Sequence, residues 1–186
     1  MIYNPQTSKH PRKIKQNIHN LHIDSQNKEK PIYFYSPKRK YGYLANFSRH
    51  GFNIEGKWWP SVEHYYQAQK FTQHYLKEKI RTSPSAYKAK KFAHKHKHLE
   101  RDNWKLQRRK IMFTAILNKF VAHPILRQKL IETDNKQIIE RAPKDLFWGA
   151  GLNNEGQNIA GKILMEVRTI LKNHRESRQG KTPASL

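Results

Sequence analysis

A helix with polar side chains along one face is predicted by the twelve residues Pro60-Ser61-Val62-Glu63-His64-Tyr65-Tyr66-Gln67-Ala68-Gln69-Lys70-Phe71. Pro60 and Ser61 suit the first helical position and the cap, and the helix dipole favours Glu63 in the first turn. At about 100° per residue, Glu63, Gln67 and Lys70 fall within roughly 60° of one another. An acid, an amide and a cation therefore share one face.

Aromatic residues accompany this polar face. An ordinary solvated helix face would also account for an acid and an amide four residues apart. Aromatic side chains, however, come directly before the helix and within it: Trp58, Trp59, Tyr65, Tyr66 and Phe71. So many rings beside three polar groups indicate the wall of a pocket rather than open solvent.

Length and composition predict one domain with polar ends. The 186 residues suffice for one domain with a substantial core. Residues 1–31 are polar and basic, so we expect a flexible arm there, a compact domain over residues 32–172 and a polar tail over residues 173–186. The apolar runs are too short to span a bilayer and the N-terminus lacks an apolar signal core, so we expect a cytoplasmic protein without a membrane partner.

The formal net charge of +23 is high for a chain of this length. Residues 1–31 account for +4 and residues 172–186 for +3, which leaves +16 for the body. Such a field attracts phosphates, from nucleotides to nucleic acids. A generally lysine-rich composition explains the charge as well as a polyanionic partner does, so charge alone does not identify a ligand.

The hydrophobic patterns predict a mainly α domain with a few short β-strands, an α+β fold. Short strands are expected over residues 32–35 and 137–140, and a small hairpin with a turn at Glu55 and Gly56 over residues 52–59. Besides the helix over residues 60–71, helices are expected over residues 74–81, 83–93, 101–121 and 125–132, and from residue 159 to about residue 171.

Two cations enter the apolar face of the helix over residues 101–121. Arg108 and Lys119 project about 40° and 60° from Trp104, which belongs to the apolar stripe. One such residue would be explained by a long side chain reaching the edge of the core. Two of them make an anion-binding pocket an equally good explanation.

No metal site or cofactor is predicted. The chain has no Cys, which excludes disulfides, a thiol nucleophile and Cys-ligated zinc. His94, His96 and His98 alternate with lysines, but on a helix only His94 and His98 share a face, and no carboxylate stands at ligand spacing. A solvated basic surface is the simpler interpretation.

A glycine-rich segment precedes the last helix and contains Asp145, Trp148, Gly149, Gly151 and Gly156. Glycines before a helix N-terminus let backbone N–H groups approach a phosphate, and the helix dipole favours the anion. The more usual task of such glycines is to form turns. Both interpretations stay open.

Several motifs in order resemble the NADAR family, also called YbiA-like. They are Tyr41-Gly42, Asn46-Phe47, Trp59 to Phe71, Asp145-x-x-Trp148-Gly149-x-Gly151 and Gly156-x-Asn158. The resemblance covers about residues 32–171, and ordered blocks are far more specific than any one of them.

This resemblance implies a mainly helical domain with N-glycosidase activity, which cleaves the bond between a ribose C1′ and a base or amine nitrogen. Substrates known in the family include ribosylamino-pyrimidine intermediates of riboflavin biosynthesis, and some members remove ADP-ribose from guanine in DNA. The implied partners are a phosphorylated ribosyl small molecule or an ADP-ribosyl group, with DNA as a further candidate.

Cleavage of a C1′–N bond passes through an oxocarbenium-like state and calls for a carboxylate, and usually also for an acid. We expect Glu63 to be the base or the cation-stabilising group, kept ionised by its first-turn position. Asp145, beside aromatic residues, is the predicted acid or ribose-hydroxyl partner, and His64 is the alternative acid. A turn-capping aspartate and a core histidine are the plain structural alternatives.

The predicted substrate-binding residues come from these motifs and, for Arg108 and Lys119, from the apolar face of the helix over residues 101–121. Lys70, Arg108 and Lys119 are expected to hold the phosphate, with backbone groups near Gly149 and Gly151. Trp148 and Tyr41 are expected to stack on the base. The remaining predicted contacts are Asn46, Phe47, Gln67 and Asn158.

Three functions stay open at this point. A hydrolase for small ribosylated pyrimidines needs only the pocket. An enzyme that removes ADP-ribose from guanine in DNA would use the positive body, and its affinity would fall steeply with salt. A binding module for ADP-ribose or nucleic acid would bind without turnover, and it is the least favoured because both carboxylates are present.

Overall fold

The computed structural model describes residues 30–179, with side chains to residue 177. The predicted basic arm, residues 1–31, lies almost entirely outside the described residues. The described part forms one α+β domain of six α-helices and four short strands, which confirms the predicted fold class. No helix in this part is long and apolar enough to cross a membrane.

The four strands form two small sheets. Strands β2 (Phe52–Ile54) and β3 (Lys57–Trp59) pair as the predicted antiparallel hairpin. Its turn residues Glu55 and Gly56 have positive φ values of 52° and 73°, as a two-residue hairpin turn requires.

The second sheet joins distant parts of the chain. Strand β1 (Ile32–Phe34) pairs in parallel with β4 (Ile138–Glu140). Glu140 pairs with Phe34 at the end of the two strands, and Tyr35 follows directly after Phe34. This end of the sheet forms part of the candidate site.

The helices lie at positions close to those predicted. Their bounds are α1 (Val62–Ala68), α2 (His74–Arg81), α3 (Ala86–Lys95), α4 (Trp104–Ala122), α5 (Pro124–Ile131) and α6 (Ile159–Gln179). Two 3-10 turns span Gly42–Leu44 and Lys97–Leu99. Pro124 ends α4 and opens α5, because its missing N–H is tolerated only in a first turn.

The core surrounds α1. Every residue of α1 is buried, including its polar ones, because α2, α3 and α4 pack around it. Aromatic contacts fix this helix: the ring of Tyr65 meets Trp59 at 5.1 Å, and that of Tyr66 meets Trp104 at 5.0 Å and Trp148 at 5.4 Å. Of the aromatic residues predicted to form a pocket wall, only Tyr66 lines the cleft. Trp59, Tyr65 and Phe71 belong to the core, and Trp58 is exposed.

Three boundaries differ from those expected. Ser61 is the cap of α1, so Pro60 precedes the cap rather than occupying the first helical position. Helix α1 ends at Ala68, and Lys70 lies beyond it. Helix α6 continues to Gln179, so it enters the segment predicted as a polar tail.

Candidate active site

A cleft of about 710 Å³ opens where the two parallel strands end against α1. Helices α3 and α4 and the segments 45–47 and 142–148 complete its walls. The lining residues are Tyr35, Ser36, Pro37, Ala45, Asn46, Phe47, Glu63, Tyr66, Gln67, Lys70, Lys90, Met112, Glu140, Ala142, Pro143, Lys144, Asp145 and Trp148. The structure thus brings together seven of the predicted site residues: Asn46, Phe47, Glu63, Gln67, Lys70, Asp145 and Trp148.

The capped start of α1 places two polar side chains in the cleft. Ser61 Oγ accepts a hydrogen bond from the His64 backbone N–H at 3.3 Å, which satisfies one free donor of the first turn. One turn of helix separates Glu63 from Gln67, and Gln67 Nε2 donates to Glu63 Oε1 at 2.7 Å. The Glu63 backbone N–H donates to the Asn46 carbonyl at 3.1 Å, so the helix also holds segment 45–47.

Glu63 is buried in the wall of the cleft. Burial raises the pKa of Glu63, an effect opposed by the Gln67 hydrogen bond and by the charges of Lys90 and Lys70 and reinforced by Asp145. The net direction is opposite to that expected from the first-turn position alone, because desolvation of the charged form outweighs the helix dipole.

Glu140 is a third cleft carboxyl, and no sequence argument predicted it as a site residue. Burial raises the pKa of Glu140 to about 7, and the negative charges of Asp145 and Glu63 act in the same direction. Its Oε2 atom is buried and has no hydrogen-bond partner among the described residues. The available signal was a glutamate at the end of an apolar strand, a position where α/β sheets often present functional groups.

Asp145 combines a turn-capping contact with a place in the cleft wall. Its Oδ1 accepts hydrogen bonds from the backbone N–H groups of Phe147 at 3.1 Å and Trp148 at 2.8 Å. Asp145 therefore stabilises a turn, which was the structural alternative predicted for it. The same residue still lines the cleft.

Three lysines line the cleft. Lys70 Nζ forms an ion pair with Glu100 at 2.9 Å and lies 5.6 Å from the ring centre of Trp104. Lys90 Nζ lies 5.7 Å from the ring centre of Phe47. Lys144 comes from the loop after β4. Lys90 and Lys144 were not predicted, because nothing local in the sequence separates them from the many surface lysines.

His64, Lys119 and Arg108 lie outside the cleft lining. His64 Nε2 donates to the Ser83 carbonyl at 3.1 Å, its Nδ1 lies 2.7 Å from Ser61 Oγ, and burial lowers its pKa. Lys119 is fully buried, and its Nζ donates to the Ala45 carbonyl at 3.2 Å and to Ser48 Oγ at 2.9 Å. The Arg108 guanidinium lies over the Phe147 ring at 3.5 Å.

The glycine-rich segment uses its groups internally. The Gly149 N–H donates to the Asp145 carbonyl at 3.2 Å, and a Cβ at Gly149 would lie 2.7 Å from the Cβ of Ala142. Gly151 has a φ of 71°, where glycine is favoured. Asn158 fastens β4: its Oδ1 accepts from the Glu140 N–H at 3.0 Å and its Nδ2 donates to the Ile138 carbonyl at 2.9 Å.

Tyr41 is also outside the cleft lining. It is partly buried against the core, and Lys40 Nζ lies 5.3 Å from its ring centre.

Within residues 30–179, no group of three or more His, Cys, Asp or Glu residues has the arrangement of a metal site.

The chain is similar to known proteins over most of its length. The model of the NADAR domain matches residues 33–172. The chain belongs to the NADAR domain family. The NMR structure of Escherichia coli YbiA superimposes with a TM-score of 0.75 at 33% identity, over 83% of this chain and 92% of YbiA.

Several NADAR relatives carry functional names. An N-glycosidase from Nostoc punctiforme is 38% identical over 145 residues, which is 76% of this chain and 93% of that protein. The E. coli N-glycosidase YbiA is 36% identical over 140 residues, 75% of this chain and 88% of YbiA. A riboflavin biosynthesis protein from Vibrio vulnificus is 38% identical over 146 residues, 78% of this chain, but the matched region spans only 40% of the Vibrio protein.

Proposed function

We propose that this protein is an N-glycosidase that hydrolyses the ribose C1′–N bond of phosphorylated ribosylamino-pyrimidines of riboflavin biosynthesis. Relatives named as N-glycosidases and as riboflavin biosynthesis proteins support this proposal. The observation that carries it is the meeting of three carboxyl groups, from Glu63, Glu140 and Asp145, in one cleft with aromatic walls. C1′–N cleavage needs such groups to stabilise a cation, activate water and supply a proton.

In this proposal Glu63 activates the attacking water and stabilises the positive charge at C1′. The Gln67 amide at 2.7 Å fixes the orientation of the carboxylate. A raised pKa makes Glu63 a stronger base than an exposed glutamate, while the charges of Lys90 and Lys70 favour its ionised form. Asp145 is proposed to bind a ribose hydroxyl.

The remaining cleft residues are proposed to hold the substrate. Lys70, Lys90 and Lys144 supply positive charge for the phosphate. Arg108 and Lys119, predicted for this task, have other contacts, and we now assign them no direct phosphate contact. The rings of Trp148 and Phe47 provide flat faces for the pyrimidine.

The test is turnover of a 5′-phosphorylated ribosylamino-pyrimidine by the wild type and by Glu63→Gln. Loss of the Glu63 carboxylate, the proposed general base, should reduce kcat about 10²-fold or more. Glu132→Gln is the matched control, because it makes the same chemical change at an exposed glutamate. Full activity of a folded Glu63→Gln variant would refute the assignment of Glu63, and absence of wild-type turnover would refute the proposed function.

Removal of ADP-ribose from guanine in DNA is the second candidate, and a basic groove favours it. The groove, of about 370 Å³, lies between α2 and α3 and is lined by Lys79, Lys88, Lys91 and Lys95. The same helix α3 also supplies Lys90 to the cleft. Phosphates of a single strand would bind such a basic groove.

A single-stranded oligonucleotide carrying ADP-ribosyl guanine distinguishes the two candidates. Release of ADP-ribose from this oligonucleotide would favour the DNA substrate if added salt and the double substitution Lys88→Gln and Lys91→Gln both slow it. Turnover of the pyrimidine alone, unaffected by that double substitution, would favour the metabolite. Binding without turnover of either would favour a binding module. A cytoplasmic location remains part of this proposal.

A further inference from the structure

We propose that Glu140 is the catalytic residue that protonates the departing nitrogen. This inference rests on the proposed N-glycosidase function and assigns a task within it that was expected for Asp145 or His64. It depends on the backbone anchoring of Glu140, on the free oxygen of its carboxyl group and on the engagement of the other two candidates.

The backbone of Glu140 is fixed on both sides. Its N–H donates to Asn158 Oδ1 at 3.0 Å, and its carbonyl accepts from the Ala150 N–H at 2.8 Å. The residue ends a strand that is paired in parallel with β1. An acid must be held within reach of a defined nitrogen, and this anchoring provides the necessary rigidity.

The Glu140 carboxyl has capacity for one more hydrogen bond. Oε2 is buried and unpartnered among the described residues, although the residue lines the cleft. Leaving a buried polar atom without a partner is costly, so such an atom usually has a ligand or a functional role. We place the transferred proton on this carboxyl, because Glu140 belongs to the cleft wall.

The surroundings of Glu140 favour the protonated form near neutral pH. Glu63 from α1 and Asp145 from the loop after β4 are negative and raise its pKa, Lys90 from α3 lowers it, and burial is the largest effect. Tyr35, at the end of the neighbouring strand, is the titratable group from that side. With a pKa of about 7, Glu140 carries a proton in a large fraction of molecules at neutral pH.

One oxygen of Asp145 and both ring nitrogens of His64 already have hydrogen-bond partners. Asp145 uses Oδ1 to accept two backbone N–H groups, so this oxygen is an acceptor rather than a donor. His64 donates from Nε2 to the Ser83 carbonyl and is not among the cleft residues. Of the three groups, Glu140 alone combines an unpartnered buried oxygen with a place in the cleft.

The step balances with water as the only co-reactant. The C1′–N bond breaks, its electron pair passes to the nitrogen, and that nitrogen takes the proton from Glu140. Water forms the new C1′–O bond and gives a proton to Glu63. The products are the free ribose phosphate and the free amine, and proton exchange with solvent restores both carboxyl groups.

The test is the pH dependence of kcat/KM for the ribosylamino-pyrimidine with the wild type, Glu140→Gln and Glu140→Asp, corrected for uncatalysed hydrolysis. We expect wild-type kcat/KM to fall about tenfold per pH unit above about pH 7, as Glu140 loses its proton. Glu140→Gln should be at least 100-fold slower at pH 6 and should lack this alkaline limb. Glu140→Asp should keep the limb and recover part of the rate.

Each result has a defined meaning. A Glu140→Gln variant that is slower but keeps the alkaline limb would assign Glu140 a structural role and overturn the inference. A wild-type profile without an alkaline limb near pH 7 would overturn it even if the variants failed to fold. Lack of wild-type turnover at every pH would instead refute the proposed function, so the two failures are distinguishable.

Discussion

Replacing Lys119 with methionine should remove a specific pH dependence from the stability of this protein. Lys119 is fully buried, and burial lowers the pKa of its ammonium group from 10.5 to about 7. Methionine fills a similar volume without a titratable group. The perturbation therefore isolates one proton-binding equilibrium.

The sign and size follow from linkage between proton binding and folding. Below pH 7 the folded and unfolded states both bind the proton at Lys119, so the free-energy cost of burying its charge does not change with pH. Between pH 7 and 10.5 only the unfolded state is charged, so the free energy of unfolding of the wild type rises with pH, and above pH 10.5 the effect is complete. From pH 7 to pH 9 this rise amounts to about 2 kcal/mol, at about 1.4 kcal/mol per pH unit and with half protonation at the start.

Urea unfolding of the wild type and Lys119→Met at pH 7 and pH 9 measures this effect. The wild type should gain about 2 kcal/mol relative to the variant over this interval. Lys105→Met is the matched control, because it replaces an exposed lysine of the same helix. Parallel pH dependences for the wild type and Lys119→Met would refute the assignment of a strongly lowered pKa to Lys119.

Two further substitutions test the framework of the site. Gly149→Ala would place a Cβ 2.9 Å from the Asp145 carbonyl oxygen and 3.0 Å from that of Glu140, so we expect a stability loss of about 1–3 kcal/mol and reduced kcat. A variant with unchanged urea midpoint and turnover would contradict this. Ser61→Ala removes the cap of α1 and the hydroxyl beside His64, and should cost about 1 kcal/mol in urea unfolding. An unchanged midpoint would show that the cap contributes nothing.

Local sequence signals predicted the α1 part of the site well. Helical periodicity placed Glu63 and Gln67 one turn apart, and their hydrogen bond of 2.7 Å forms within that one helix. The hairpin over β2 and β3 followed from its turn residues in the same way. These predictions succeeded because all the interacting atoms lie within a few residues of one another.

The failures concern contacts between distant parts of the chain. The helical angle of Lys119 correctly placed it in an apolar arc, but its partner, the Ala45 carbonyl, lies 74 positions earlier in the chain. Glu140 belongs to a three-residue strand whose partner strand begins at Ile32, so local periodicity could not show that it enters the cleft. The prediction that the first-turn position governs the Glu63 pKa was wrong for the same reason. The helix dipole is a local effect, whereas tertiary packing desolvates the carboxyl and raises its pKa.

The parallel pairing of β1 and β4 also determines when the site can form. Ile32 pairs with Ile138, 106 positions later in the chain, and closing so long a loop is a slow, entropically costly event. During synthesis, α1 leaves the ribosome long before β4 exists, so the Glu63 carboxylate is first exposed to water as an ordinary acid. Its pKa rises only once the chain has folded around α1 and desolvated the carboxyl, so the raised pKa belongs to the folded domain and not to the nascent helix.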